Sequence, residues 1–585
     1  MRRLYLVAVL CFVTALGVAF LTPPQTATAQ APPADRASAV AGAGNGYLRG
    51  GPRGAVKTSE GQAVDGLMVQ LISQKTSIRT TVYTDELGRY EFPMLDAGEY
   101  VLRVPRPLEF RAYTREGVRI AGATPLSDIV VERLGNGDLP PGEDFLPPVP
   151  ELLPQLTGAE WLSNMPGSEQ EKAAVLKACS IGCHSIDYAF RMKFDEASWP
   201  KFLHRMIDFS PRLITNPRKN NYIGSQEGAD LIIKFFQRTR GLDTPLPAIR
   251  PFPRPNGPAT RAVVTEFELP WTGVNIHDVT GDVDGNIWFT INRSPIIGKL
   301  DAKTGKVISY RVPPVQPPPN APKNAAGMAG GAVSAAHPGF QAINVDKNGI
   351  VWFTGTWAAS LGKLDTRTGA IQQVQTDLLF PEEDMAVTHN TGFSPDGSFW
   401  KTGHKKIYKW DPSTVFTTGK PAKIYPLKHV NSTYGNFVSR DGKYFGGGGK
   451  WIVWLDIATG EVRERELTVG GKGRGDFDPS GTIWVGGDRL SKYDPKTGAT
   501  VEYRLPTPYT NLYSVKADKN GDVWAGEMQG GRVARFKPTT HQWIEYVLPT
   551  PWSLDFNAWI DNSTDPPTFW YGDELGIIVR IQPLE

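Results

Sequence analysis

A short motif recurs through the second half of the chain and limits what that half can fold into. The motif is Asp-Gly or a relative of it, then two residues and an aromatic residue, as in Asp284-Gly-Asn-Ile-Trp288. Its copies lie at 284–288, 348–352, 396–400, 441–445, 480–484 and 520–524, with a reduced copy at 568–570. One tight turn per unit at a period of about 40–60 residues indicates the blades of a β-propeller. The seven units predict a seven-bladed β-propeller over residues 262–585.

The two ends of the repeat predict how this ring closes. The last unit stops after the strand pattern Ile577–Ile581 and therefore lacks an outermost strand. The pattern Val264–Leu269, at the start of the repeat, supplies such a strand, and pairing the two would leave no open edge in the ring. An aspartate recurs at another turn of most units, and a structural role is predicted because Asp side chains at turns bind nearby backbone. These residues are Asp301, Asp365, Asp411, Asp456 and Asp494.

The repeat unit resembles the virginiamycin B lyase (streptogramin lyase) family of seven-bladed propellers, over residues about 263 to 585. In that family, histidines and glutamates of neighbouring blades hold Mg²⁺ and remove a proton α to a carbonyl, which expels an ester oxygen. This chemistry needs a base with a pKa near neutrality and an oxygen-rich metal site. The resemblance therefore implies a C–O lyase that acts on a cyclic ester with Mg²⁺ in the propeller.

Only part of the family's residue set is present. His277 occupies the histidine position of the first blade, and His389 occupies that of the third. Glu527 follows a blade tryptophan at the position of a metal-binding glutamate. Asn275 and Ile291 stand where the family has glutamates in the first blade, so no single blade assembles the set. The resemblance leaves His277, His389 and Glu527 as the candidate catalytic residues.

Two further polar residues are expected at the mouth of the central channel. Arg474 lies near the start of the fifth unit, and Tyr513 takes the histidine position of the unit that carries Glu527. Equivalent positions of all blades point to the channel, so these residues could meet a small-molecule ligand there. The alternative for each is a polar strand end that bonds to backbone, since propeller channels are generally polar.

A different β pattern precedes the repeat. Short strand-like runs separated by turn residues occupy residues 69–104. Among them, Thr84-Asp-Glu-Leu-Gly-Arg-Tyr-Glu-Phe92 is followed by Gly98-Glu-Tyr100. This string resembles the carboxypeptidase regulatory-like (transthyretin-like) β-sandwich over residues 48–134. The resemblance implies a structural or adhesive module without a catalytic set.

Between the two β parts, residues 157–242 have a helical pattern and carry the only thiols besides Cys11. Cys179 and Cys183 are four positions apart, and His184 directly follows the second. Covalent haem c is attached through the spacing C-x-x-C-H, and the spacing here is one residue longer. The pattern predicts a cytochrome c-like domain in which two thioethers hold the haem and His184 binds the iron. The alternative is a disulfide between the two cysteines, because short-loop disulfides occur in exported proteins.

A second iron ligand is expected on the helix that follows. The segment from Trp199 to Met206 resembles the W…RM helix of periplasmic haem domains attached to quinoprotein dehydrogenases. The resemblance implies Met206 as the ligand, with His204 and Met192 as alternatives. It also implies a periplasmic dehydrogenase or another redox protein as the partner.

The first residues have the pattern of an export signal. Arg2 and Arg3 precede the apolar run Leu4–Leu21, and Ala27-Thr-Ala29 offers a small-residue cleavage site. Residues 1–29 are therefore predicted to be a signal peptide, and the mature protein is expected to be periplasmic or secreted. No later run predicts a membrane span, and a net charge of +3 gives no basic footprint for nucleic acid.

These observations predict a mainly β, multidomain chain: a transthyretin-like β-sandwich, a small α-helical cytochrome c domain and a seven-bladed β-propeller. The predicted function is electron transfer by an exported c-type cytochrome, with the propeller binding a substrate or a partner. A C–O lyase of the streptogramin lyase kind and a non-enzymatic binding scaffold are the alternatives. The substrate, the redox partner and the oligomeric state stay open.

Overall fold

The computed structural model describes residues 48–135, 139, 145–179, 185–209, 226–271, 273–292, 294–315, 339–355, 360–375, 391–468 and 473–585. This part of the chain is mainly β, with six α-helices and eight sheets. The predicted signal peptide, Cys183, His184 and His389 lie outside the described residues.

The N-terminal part is a sandwich of two sheets. Its strands are β1 (Gly50–Thr58), β2 (Met68–Ser73), β3 (Arg79–Tyr83), β4 (Arg89–Pro93), β5 (Gly98–Arg103), β6 (Thr114–Ile120) and β7 (Ile129–Val131). One sheet has the order β4-β1-β7, and the other contains β3-β2-β5-β6. Val69, Leu71, Phe92 and Leu102 are fully buried in the core of this part. Alternating buried side chains, as in β4, are what a strand with one face on a core requires.

Five helices follow, where the sequence pattern predicts them. They are α1 (Gly158–Asn164), α2 (Glu169–Cys179), α3 (Asp187–Arg191), α4 (Ser198–Phe209) and α5 (Gln226–Thr239), and a short 3-10 helix spans Leu153–Gln155. Residues 145–249 are called the helical segment below. Its core is aromatic, with Trp161 stacked on Phe190 and Trp199 stacked on Phe236 at centroid distances of 5.8 and 4.9 Å. No helix of the described residues is long and apolar enough to cross a membrane.

Seven sets of four antiparallel strands make up the rest of the described chain, six of them from consecutive strands. The first is β9 (Ile276–Gly281), β10 (Asn286–Ile291), β11 (Ile296–Asp301) and β12 (Val307–Arg311). The second is β13 (Phe340–Val345), β14 (Ile350–Gly355), β15 (Ser360–Asp365) and β16 (Ile371–Gln375). The third is β17 (Gly392–Phe393), β18 (Phe399–Gly403), β19 (Lys406–Trp410) and β20 (Lys423–Pro426), with α6 (Pro412–Thr418) before its last strand.

The remaining sets follow the same pattern. The fourth is β21 (Gly435–Val438), β22 (Tyr444–Gly448), β23 (Trp451–Asp456) and β24 (Val462–Glu466). The fifth is β25 (Gly475–Phe477), β26 (Ile483–Val485), β27 (Arg489–Tyr493) and β28 (Thr500–Arg504). The sixth is β29 (Asn511–Ala517), β30 (Val523–Met528), β31 (Arg532–Lys537) and β32 (Gln542–Val547). The seventh is β33 (Trp559–Asp561), β34 (Thr568–Gly572), β35 (Ile577–Pro583) and β8 (Ala262–Glu268).

The seventh set is completed from the start of the repeat, as predicted. Strand β8 pairs antiparallel with β35, from Glu268 opposite Ile577 to Ala262 opposite Pro583. Its other edge pairs with β3 of the sandwich, where Glu266 lies opposite Arg79. One sheet of eight strands therefore runs β33-β34-β35-β8-β3-β2-β5-β6. The sandwich covers the edge that β8 would otherwise expose to other chains.

The first and the last sets are in contact. Asp278 of β9 forms a parallel bridge with Asn557, which lies just before β33, and Asn557 N donates to the His277 carbonyl at 3.0 Å. Arg474 and Ser514 form the same kind of bridge between the fifth and sixth sets. The first strands of successive sets thus lie side by side at these two places.

An aspartate six residues earlier explains the recurring tryptophan. Trp288 Nε1 donates to Asp282 Oδ2 at 2.9 Å, and Asp282 Oδ1 accepts from the backbone N–H of Asn286. The same bond to tryptophan is made by Asp346, Asp478 and Asp518. The aspartates predicted at the other turn also bind backbone, as in Asp301 Oδ1 with Lys303 N at 2.9 Å. At both turns, the aspartate stabilises the connection between two strands, which is a structural role.

Candidate functional site

Asp278 is the centre of a buried polar cluster where the first strands of several sets meet. Its Oδ1 accepts from Arg474 Nη1 at 2.9 Å and is bonded to His277 Nδ1 at 2.7 Å. Its Oδ2 accepts from Asn557 Nδ2 at 2.7 Å, and Ser514 Oγ donates to Asn557 Oδ1 at 2.9 Å. We call these five residues the Asp278 cluster. The exposed fractions of the Asp278 and Arg474 side chains are only 2% and 5%, so water screens this ion pair little.

The charges of the cluster support each other against the cost of burial. Burial disfavours ionisation of Asp278, but Arg474 and His277 hold the pKa of Asp278 below its ordinary value. Burial also disfavours the charged form of Arg474, but Asp278 and the hydroxyls of Tyr513 and Tyr434 raise the pKa of Arg474. Asp278 and Arg474 therefore form a buried ion pair, and removing one partner would leave the other uncompensated.

Arg474 has donor capacity beyond the bond to Asp278. Its Nε and Nη2 atoms are buried and have no hydrogen-bond partner. Its guanidinium lies 5.4 Å from the ring centroid of Tyr513, whose hydroxyl is bonded to that of Tyr434. Phe556 stacks on His277 with a centroid distance of 5.2 Å. Because unpaired buried donors are costly, Arg474 would gain from a ligand that offers a carboxylate or carbonyl oxygen.

Asp555 adds a carboxyl group whose charge interacts with that of Arg474. Its Oδ2 accepts from Gly526 N at 3.2 Å, and its Oδ1 is buried without a partner. Burial raises the pKa of Asp555 to about 7, although the Gly526 amide and Arg474 act in the opposite sense. Near neutral pH this carboxyl can therefore both donate and accept a proton.

Glu527 belongs to a second cluster. Both of its carboxyl oxygens are buried, and neither completes a well-formed hydrogen bond, although Glu545 and Thr510 lie beside them. Burial and the Glu545 carboxyl raise the pKa of Glu527 well above its ordinary value, while Arg532 acts to lower it. Glu545 accepts from Thr507 N and Oγ1 at 3.1 and 3.0 Å and lies 3.7 Å from Arg532 Nη1. We call these five residues the Glu527 cluster.

The site residues predicted for the repeat therefore divide between two places. His277, Arg474 and Tyr513 come together in or beside the Asp278 cluster. Glu527 lies instead beside Glu545, Arg532 and Thr510, and His389 lies outside the described residues. Within the described residues, no group of three or more His, Cys, Asp or Glu is arranged to hold a metal ion. Mg²⁺ binding stays a prediction.

Most of the predicted haem-binding residues lie outside the described part of the chain, or their side chains do. Cys179 is the last residue of α2 and Met206 lies within α4, but the side chains of both are among those not described. Of the two alternative iron ligands, His204 is exposed and Met192 is half-buried. The haem and the alternative disulfide both stay predictions.

Sequence reasoning missed Asp278, Asn557, Ser514 and Asp555. The parallel bridges join Asp278 to Asn557 and Arg474 to Ser514. The position directly after His277 is therefore the one that faces the neighbouring set. A signal for it exists, since Asp278, Arg474 and Ser514 each lie ten residues before one of the recurring tryptophans. Aligning the units on tryptophan and reading that column would have found three members of the cluster.

The helical segment is bonded to turns of the sixth and seventh sets. Gln529 Oε1 accepts from Ile186 N at 2.9 Å and from Ser185 Oγ at 3.1 Å, and the Gln529 carbonyl accepts from Ala159 N at 2.8 Å. Glu574 Oε1 accepts from Ser185 N at 2.8 Å. The backbone that directly follows the predicted haem motif is therefore fixed to the β-sheet part of the chain.

Comparison with known proteins supports one assignment directly. Residues 53–132 match the carboxypeptidase regulatory-like domain, which confirms the identity of the N-terminal sandwich. A streptogramin B lyase structure is similar at 19% identity, over 56% of this chain and 100% of that chain, with a TM-score of 0.43. Two structures of virginiamycin B lyase from Staphylococcus aureus are each 16% identical, over 55% of this chain and 99% of theirs. One is selenomethionine-substituted, the other a catalytically inactive variant with quinupristin, and their TM-scores are 0.43 and 0.42. A search of the curated proteins gives no match.

Proposed function

We propose that residues 262–585 form a seven-bladed propeller and that residues 157–242 form a cytochrome c-like domain of an exported electron-transfer protein. The seven sets of four antiparallel strands, with the first in contact with the last, support the propeller. With haem bound, this domain would exchange single electrons with a periplasmic dehydrogenase or another redox partner. The propeller binds a polar substrate or a partner at the Asp278 cluster.

The residues present fit a covalently attached haem. Cys179 and Cys183 would form the two thioethers, and His184 would bind the iron, with Met206 as its second ligand. Two buried donors of the helical segment, Trp161 Nε1 and Arg240 Nη1, have no hydrogen-bond partner. Donors of this kind bind carboxylates, and haem carries two propionates. When bound, the haem supplies reversible one-electron oxidation and reduction.

The observation that carries the proposal is the Cys-x-x-x-Cys-His string at 179–184. Ser185, the next residue, is bonded to Gln529 and Glu574 of the sixth and seventh sets. These bonds fix the residue that follows the proposed haem motif to the β-sheet part of the chain. The unpaired Nε and Nη2 of Arg474 support an acidic or carbonyl-bearing ligand for the propeller.

Expression together with cytochrome c maturation factors tests the haem. The purified chain should gain the mass of one haem, stain for covalent haem and show an α-band on reduction. Cys183→Ser and His184→Ala should each lose the α-band that the unaltered chain shows. The matched control is His404→Ala, a histidine of the third set, which should leave the spectrum unchanged. A mature chain without haem, in which Cys179 and Cys183 form a disulfide, would contradict the proposal.

A C–O lyase is the second candidate because His277 is bonded to the buried carboxylate Asp278. A carboxylate in this position fixes the ring orientation of a histidine that acts as a base. Incubation with a streptogramin B and Mg²⁺ should then give a ring-opened product by mass spectrometry. His277→Ala should abolish turnover, whereas the exposed His541→Ala should not. Intact streptogramin after long incubation would exclude this activity, and failure of both tests would leave a binding scaffold.

A further inference from the structure

A cavity of about 380 Å³ lies beside the sixth set, and Thr507, Arg532 and Glu545 of the Glu527 cluster line part of it. One wall is the chain from Phe252 to Ala259, and another is Pro506, Thr507 and Pro508. Strands β31 and β32 contribute Arg532 and the residues from Gln542 to Glu545. A cavity of this size is within the range that holds small ligands.

The wall formed by residues 252–259 is held from three sides. Arg532 Nη2 donates to the Pro253 carbonyl at 3.1 Å. Phe252 N donates to Glu160 Oε1 of the helical segment at 2.9 Å, and Arg254 forms an ion pair with Glu109 of the sandwich. Proline restricts the backbone of this wall further. The cavity is therefore preformed and does not need to be ordered by its ligand.

The polar side of the cavity offers both a donor and acceptors. The Arg532 side chain is 8% exposed, and its Nε is buried without a hydrogen-bond partner. The Glu545 carboxylate, 15% exposed, lies 3.7 Å from Arg532 Nη1. Glu527 lies beside Glu545, and neither of its buried oxygens completes a well-formed hydrogen bond. A ligand here must accept from a guanidinium and donate to a carboxyl group at the same time.

The other side of the cavity is apolar and flat. Phe252 and Trp543 line it, together with Pro253, Pro255 and Pro508. Flat rings and proline faces pack against C–H groups and provide no hydrogen bonds. A wholly apolar ligand would leave Arg532 Nε unsatisfied, a simple anion would meet Glu545, and a cation would meet Arg532.

We propose that this cavity binds a polyhydroxylated ligand of monosaccharide size. A hydroxyl group is both donor and acceptor, so a sugar satisfies Arg532 and Glu545 together. The C–H face of a sugar ring packs on Trp543 and the prolines. This site is independent of the haem and of the Asp278 cluster, so its test does not depend on the proposed function.

Saturation-transfer difference NMR on the whole mature chain tests the proposal. The probes are D-glucose, D-galactose, D-mannose, N-acetyl-D-glucosamine and myo-inositol, each titrated separately. At least one should show transfer to its ring C–H protons. Arg532→Met should raise the Kd of that probe by about tenfold or more, which is the loss of affinity expected for one hydrogen bond to a charged group. Trp543 is half-buried, and Trp543→Leu should also remove the transfer. This second variant tests the proposal if Arg532→Met does not fold.

The fifth set offers a matched control. Arg489 begins β27 as Arg532 begins β31, and its Nη1 lies 3.6 Å from Glu502 Oε2. Arg489→Met should therefore leave sugar binding unchanged. Absence of transfer to all five probes would overturn the proposal. Transfer in Arg532→Met and Trp543→Leu as strong as in the unaltered chain would overturn it as well. Displacement of the sugar by inorganic phosphate would assign an anion site instead and would overturn it too.

Discussion

Replacing Arg474 with Met is expected to lower the free energy of unfolding of the β-sheet part by about 3–5 kcal/mol. The variant removes the guanidinium that holds Asp278 ionised, while His277 and Asn557 keep the carboxylate in its buried position. Arg474 also links the fifth set to the first, since Asp278 belongs to β9. Urea unfolding followed by tryptophan fluorescence measures the change.

Two companion variants separate the buried charge from the loss of side-chain volume. Asp278→Asn in the Arg474→Met background removes the uncompensated carboxylate and should recover part of the loss. Lys450→Met breaks an ion pair with Glu466 in the fourth set, where the side chains are 69% and 47% exposed. Its effect should stay within about 0.5 kcal/mol, as for most exposed pairs. A loss of the same small size for Arg474→Met would show that the buried pair adds nothing to stability.

The order of the seven sets could be predicted from the sequence because one local turn recurs in each unit. The Asp-Gly turn and the tryptophan bonded to Asp282 or its equivalents are fixed within a few residues of chain. The role of Val264–Leu269 was also predictable, because the last unit lacked its outermost strand and a matching strand pattern stood at the start of the repeat. Pairing of β3 with β8 was not predictable, since it joins two edges that belong to different modules. Either edge alone gives no signal of its partner.

The residues of the site were predicted less well, for a reason that lies in strand register. Strand β29 pairs with β30 through an irregularity between Leu512 and Val515, and β9 pairs with β10 through one between Phe289 and Ile291. Asp278 and Ser514 lie within these irregular stretches, so strict alternation along a strand does not tell which of its side chains reach the cluster. Glu527, three residues after Trp524, has Glu545 and Arg532 beside it. Asp278, beside a histidine that was singled out, proved to be the centre of the cluster.

Arg106→Met is the second variant with a large expected effect, a loss of about 3 kcal/mol or more in the free energy of unfolding. Arg106 and Glu160 form an ion pair between the sandwich and the helical segment, with side chains only 3% and 1% exposed. Arg106 Nε also donates to the Gln155 carbonyl at 2.8 Å. Burial lowers the pKa of Arg106 while Glu160 raises it, so the pair shares the cost of a buried charge. Without Arg106, the carboxylate of Glu160 stays buried with only neutral donors.

Those donors decide how the loss is distributed over the molecule. Glu160 accepts from Thr157 N at 2.8 Å, and this bond caps α1. It also accepts from Phe252 N at 2.9 Å, and this bond holds the wall formed by residues 252–259. Arg106→Met should therefore loosen the helical segment and residues 252–259 first, and hydrogen exchange measured by mass spectrometry should show faster exchange there than in the fourth set. Lys57→Met is the control, because the Lys57–Asp128 pair of the same sandwich is 42% and 48% exposed. Its effect should stay below about 0.5 kcal/mol. If Arg106→Met and Lys57→Met unfold alike, the buried pair does not hold the sandwich to the helical segment.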